Sequence, residues 1–180
     1  MNFQNDPTCD GIDGVLGAYE LAIRSVILYG PTNFSPIVHR VARMAAGTTD
    51  GSKFFILLIV TDGIITDLQQ TIAAVVEASY LPMSIIIVGV GQADFSNMDA
   101  LDSDDRLLFV PGGKVAESDI VQFVPFRNFL HPGTDPHRNQ AALAKEVLFE
   151  VPRQVTSWMR KRNIVPNPPQ PLPSITTVRF

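Results

Sequence analysis

Two apolar runs limit what this chain can fold into. Phe54-Phe55-Ile56-Leu57-Leu58-Ile59-Val60 has no polar residue, and Ser84-Ile85-Ile86-Ile87-Val88-Gly89-Val90 is almost as continuous. A strand with one wet face alternates apolar and polar residues. A run without alternation is expected of strands in a parallel sheet, covered on both faces. Parallel neighbours need a crossover, and Leu68, Ile72, Val75, Val76 and Ser79 recur at helical spacing between the two runs. Leu81-Pro82 stops that helix. A third strand is expected at 120–126, with Pro125 weakening its far end or placing it near an edge. The alternation of strand and helix predicts an α/β fold: a doubly wound, mostly parallel sheet flanked by helices.

The other elements follow from the same periodicities. Ile12, Val15, Leu16, Tyr19, Ile23, Val26 and Ile27 predict an amphipathic helix over about 12–28, broken by Tyr29-Gly30-Pro31-Thr32-Asn33. Ser35 reads as the N-cap of a second helix, with Pro36 at its first position and Ile37, Val38, Val41, Met44 and Ala45 as its apolar stripe. A short helix is expected near 95–101. Leu143, Val147, Leu148, Val151, Val155, Trp158 and Met159 form a last amphipathic stretch, which Pro152 should kink or divide. Residues 1–165 then make one domain, and the prolines at 166, 168, 169, 171 and 173 predict an extended tail over 166–180.

With 46% apolar and 18% charged residues among 180, the chain can bury a substantial core. Its formal net charge of -4 is wrong for a phosphate backbone, so nucleic acid is not the expected partner. Cys9 is the single cysteine, which excludes an intrachain disulfide and fits a reducing compartment. The start at Met1 lacks the basic and apolar regions of a secretory signal, and the run at 54–60 is too short to cross a bilayer. A cytoplasmic protein is expected.

In open α/β sheets ligands bind beyond the carboxyl ends of the strands. Asp62, in Thr61-Asp62-Gly63, directly follows the first apolar run and can hold a hard divalent cation. Thr32 precedes another helix and offers a neutral hydroxyl. Spacing alone leaves open whether the two meet. It equally allows Asp62 to cap its own turn, with Thr66 or Asp67 capping the helix beyond.

Four blocks together closely resemble the copine A domain, in its order and spacing: 29–33, Thr61-Asp62-Gly63-Ile64-Ile65-Thr66-Asp67, 81–91 and 119–129. The resemblance runs from about Asn2 to Val165. It implies a von Willebrand factor A-like fold in which Thr32 and Asp62 match the second and third elements of a metal-ion-dependent adhesion site. That site's first element, an Asp-x-Ser/Thr-x-Ser/Asn strand, has no counterpart here, and neither do the two C2 domains through which copines bind phospholipid with calcium. The expectation is an N-terminally truncated copine whose strand at 54–60 keeps an unpaired apolar edge. The resemblance further implies a weak Mg²⁺ or Mn²⁺ site at Thr32 and Asp62 and no organic cofactor. It implies intracellular protein partners at that face, and peripheral attachment to the plasma membrane as a family property.

Competing chemistry is less well supported by the residues. Gly89-Val90-Gly91 starts like a dinucleotide loop, but Asp94 stands where its third glycine belongs. Asp62-Gly63 resembles a phosphatase motif whose nucleophile would fall on Val60, a side chain that cannot attack phosphorus. Asp102-Ser103-Asp104-Asp105 lacks the glycine and distal glutamate of a calcium loop and reads as a solvated turn. His131, Asp135 and His137 read as an irregular loop without zinc spacing, and His39 as solvent-facing. Arg153, Arg160, Lys161 and Arg162 make a basic helix end that either touches acidic lipid or offsets the helix dipole. Pro168 to Pro171 could offer a polyproline ligand. The expectation is a non-catalytic binding module. The alternatives are a product with neither metal nor lipid binding, and an α/β hydrolase-type enzyme acting through Asp62.

Overall fold

The computed structural model describes residues 7–102, 106–130, 133 and 135–168. The chain divides into two compact units, 1–31 and 32–180. The first contains helix α1 (Gly11–Ser25), none of whose residues is buried. It ends three residues short of the sequence expectation. Val26 is already extended, as suits a β-branched residue followed by another at Ile27.

The second unit contains α2 (Ser35–Ala46), β1 (Phe55–Thr61), α3 (Leu68–Ala78), β2 (Met83–Gly89), α4 (Ser96–Asp99) and β3 (Val121–Pro125). A 3₁₀ turn (Phe126–Phe129) and helices α5 (Pro136–Leu148) and α6 (Val151–Lys161) follow. The described sheet has the order β1-β2-β3 and is parallel throughout. Phe55 lies opposite Met83 and Thr61 opposite Gly89, while Ile85 lies opposite Val121 and Gly89 opposite Pro125. The fold class is as the apolar runs require, and Pro125 sits where its missing N–H costs least, at the last position of a terminal strand.

The main core lies on one sheet face. Leu57, Ile85, Ile87, Val121 and Phe123 pack there with Val38, Ala42 and Ala45 of α2, Ala74, Val75 and Ala78 of α3, and Met98 of α4. On the other face Ser84 of β2 is covered by α6, whose Gln154 it bonds, and α5 packs against β3. Coverage of that second face stops at β2. On β1 the side chains of Ile56, Leu58 and Val60 are 50–62% exposed, so the expectation that both faces of this strand are buried fails. The continuous apolar run identified a strand, but β1 is terminal in the described sheet and no described helix of its own unit lies over its outer stripe.

One further helix boundary differs from expectation, and one division is as expected. Ser35 is the first residue of α2 rather than its cap, and Phe34 occupies the cap position without a side-chain bond. The C-terminal stretch is two helices, parted at Phe149 and Glu150, with Pro152 in the first turn of α6 where its missing N–H is harmless. Asp135 and His137 do not lie in an irregular loop. Asp135 caps α5, its carboxylate accepting the His137 N–H at 3.0 Å. His131, residues 103–105 and the tail from 169 onward lie outside the described residues.

Candidate functional site

The turn after β1 carries Asp62, which is exposed, and the turn before α2 carries Thr32, also exposed. Neither side chain makes a hydrogen bond among the described residues, so both oxygens are free to take a ligand. The backbone brings their loops together. The Thr66 N–H donates to the Thr32 carbonyl at 2.9 Å, and the Thr66 hydroxyl lies 3.0 Å from the same carbonyl. That hydroxyl is also 2.7 Å from Asn33 Oδ1. Thr61, the last residue of β1, is buried and accepts the Val90 N–H through its carbonyl at 2.8 Å, which ties the turn to the end of β2.

Asp67 completes the junction. It is 8% exposed, and its two carboxylate oxygens accept the N–H of Phe34 at 3.0 Å and of Ser35 at 2.9 Å. The Thr71 hydroxyl adds a third bond at 3.1 Å. Burial pushes the Asp67 carboxyl up, but the bonds from Phe34, Ser35 and Thr71 outweigh it and hold the group below the ordinary carboxylate range. The sequence offered Asp67 as a cap of the helix that follows it. The structure spends its carboxylate on α2, 33 residues earlier. Only the Thr-Asp pair before a helix hinted at capping, and nothing local names the helix capped.

The glycines at the end of β2 and in the turn after it serve local structure. A Cβ on Gly89 would lie 2.8 Å from Phe95 Cζ and 3.0 Å from Phe123 Cε2, so only glycine leaves room for these two rings. Gly91 has φ +84°, which suits a tight turn. Val60, at the place a phosphatase nucleophile would take, is an exposed strand residue. Asp102, the described member of the carboxylate run at 102–105, accepts the Phe123 N–H at 3.0 Å through one of its oxygens. The basic end of α6 is partly committed: Arg162 pairs with Glu117 at 3.0 Å and stacks on Trp158, and Lys161 donates to the Glu117 carbonyl. His39 is exposed, as its helical position suggested.

Among the described residues no group of three or more His, Cys, Asp or Glu side chains is placed to hold a metal. One carboxylate and one hydroxyl instead suit a hard cation that keeps several of its own waters, as Mg²⁺ does. A closed, all-protein cage is therefore not formed among the described residues.

A helix-flanked parallel sheet with hydroxyl and carboxylate loops at its carboxyl end defines an α/β domain, consistent with the von Willebrand factor A-like class. The copine family model matches residues 1–167. A curated relative, "Nicotinic receptor-associated protein 1" of Caenorhabditis briggsae, is 50% identical over 167 residues, covering 90% of this chain and 26% of the relative. The chain belongs to the copine family, and it spans about a quarter of the length of that relative. No helix among the described residues is long and apolar enough to cross a membrane.

Proposed function

We propose that this chain is a non-catalytic interaction module that docks an intracellular protein through the face bearing Thr32 and Asp62. The observation that carries the reading is the joining of the two loops at the carboxyl end of the sheet through Thr66 and Asp67. Bound there, Mg²⁺ or Mn²⁺ would supply a positive centre for an acidic group of the partner. Asp62 contributes the negative charge that retains a cation and Thr32 a neutral oxygen. The name of the worm relative associates that protein with a nicotinic receptor, which supports a protein as the partner class. Cytoplasmic placement and peripheral association with phospholipid belong to the same proposal and rest on family membership alone.

The test is a thermal melt of the full chain with and without Mg²⁺. A ligand that binds only the folded state at ten times its Kd stabilises by about 1.4 kcal/mol. For a chain of this size that raises Tm by about 3–6 °C. The rise is expected in the native chain and absent in Asp62→Ala, with Thr32→Ala intermediate. A melt indifferent to Mg²⁺ and Mn²⁺ would overturn the metal-borne part of the reading.

A further inference from the structure

The first amides of a helix have no partners within the helix and need an acceptor from outside. In α2 that acceptor is not local. Phe34, at the cap position, has no side-chain oxygen, and Pro36 has no N–H to satisfy. The Phe34 and Ser35 amides are instead held by the buried carboxylate of Asp67, from the loop that begins at Asp62. A negative charge there also opposes the positive end of the helix dipole. The neighbouring Thr66 grips the Thr32 carbonyl from the same loop. The Thr32 segment is therefore held at two successive points, and both holds come from the segment that carries Asp62.

We infer that Asp67 is the positioning residue of the Thr32–Asp62 face, setting the two loops against each other before any cation arrives. The inference rests on the reading of that face as a cation site. Asp67 touches no ligand in this scheme. It acts through the Phe34 and Ser35 amides and determines where the Thr32 hydroxyl stands relative to the Asp62 carboxylate. Preorganisation of this kind raises affinity because ordering of the loops is not charged against binding. The Thr71 hydroxyl of α3 bonds Oδ1, the same carboxylate oxygen that takes the Phe34 N–H, and so steadies the clamp from the other helix.

The experiment compares native chain, Asp67→Asn, Asp67→Ala and Thr71→Val, each shown to be folded by circular dichroism at the temperature used. Two readouts are taken: Mg²⁺ and Mn²⁺ affinity by calorimetric titration, and hydrogen exchange at the Phe34 and Ser35 amides without metal. Asp67→Asn keeps the shape and one acceptor, so it is expected to fold and to lose part of the protection at both amides. Its cation affinity should fall about tenfold, equivalent to about 1.4 kcal/mol. Thr71→Val removes one of the three bonds to the carboxylate while leaving both amide bonds, so its loss of affinity should be smaller than that of Asp67→Asn. Native binding with unchanged affinity in folded Asp67→Asn overturns the inference and leaves the cation reading standing. No binding by the native chain removes the cation reading. The exchange data then decide the clamp by themselves, since unchanged protection at Phe34 and Ser35 in Asp67→Asn refutes it.

Discussion

Helix α6 is tied to the sheet by a buried chain of hydrogen bonds. The Ser84 hydroxyl of β2 donates to Gln154 Oε1, Gln154 Nε2 donates to Glu150 Oε2 at 3.1 Å, and Arg153 Nη2 reaches Glu150 Oε1 at 2.6 Å. Ser84 is 1% exposed, Gln154 8% and Glu150 6%, so none can turn to water when a partner is removed. Ser84→Ala strands Gln154 Oε1 and should cost about 1–2 kcal/mol. Gln154→Met keeps the volume but strands both the Ser84 hydroxyl and a carboxylate oxygen, for about 2–3 kcal/mol. The double variant removes both ends of the Ser84–Gln154 bond and should be more stable than the sum of the singles predicts, by about 1 kcal/mol. Arg153 enters little into the sum, because its side chain is 69% exposed and screened by solvent. Urea denaturation of the four proteins measures the cycle, and equal slopes confirm that a common unfolded state is compared. Single costs that add to within about 0.3 kcal/mol would refute the coupling and, with it, the bond as a source of α6 docking energy.

The bare stripe on β1 gives a contrasting pair. Ile87 is 1% exposed and its replacement by alanine should cost about 2–5 kcal/mol, whereas Leu58→Lys, at a position 57% exposed, should stay within about 0.5 kcal/mol, both read by chemical denaturation. Asp67 gives a pH dependence. Its folded pKa lies below the unfolded value of about 3.9, so its contribution is present above that value and is lost as pH falls through the folded pKa. Melts between pH 6 and pH 2 should therefore show a steeper acid loss for the native chain than for Asp67→Asn, and parallel curves would contradict this assignment.

Much of the fold was legible in the residues because strand and helix are local patterns. The runs at 54–60 and 84–90 named β1 and β2 to within a residue, the spacing of Leu68, Ile72 and Val75 named α3, and Pro152 marked the division of the last helical stretch. The four sequence blocks identified the family for the same reason, since each is a contiguous string. Asp62 at a strand's carboxyl end could be placed, and so could the exposed Thr32, although the cation they are proposed to share lies beyond pattern.

What tertiary structure decided is which distant group answers which. Asp67 could be read as the cap of α3 and does stand at that position, but only folding showed that its carboxylate serves the amides of a helix 33 residues earlier. Ser84 read as the polar start of a strand and proved to be a buried donor to a glutamine 70 residues away. Ile56, Leu58 and Val60 have the same apolar character as their neighbours in the run, yet they stay exposed because, within their own unit, no described helix reaches past β2 on that face. Periodicity records how a segment fits its own backbone. A cap supplied from another loop, or a face left open at the end of a sheet, depends on what the fold brings alongside, and a local pattern has no term for that.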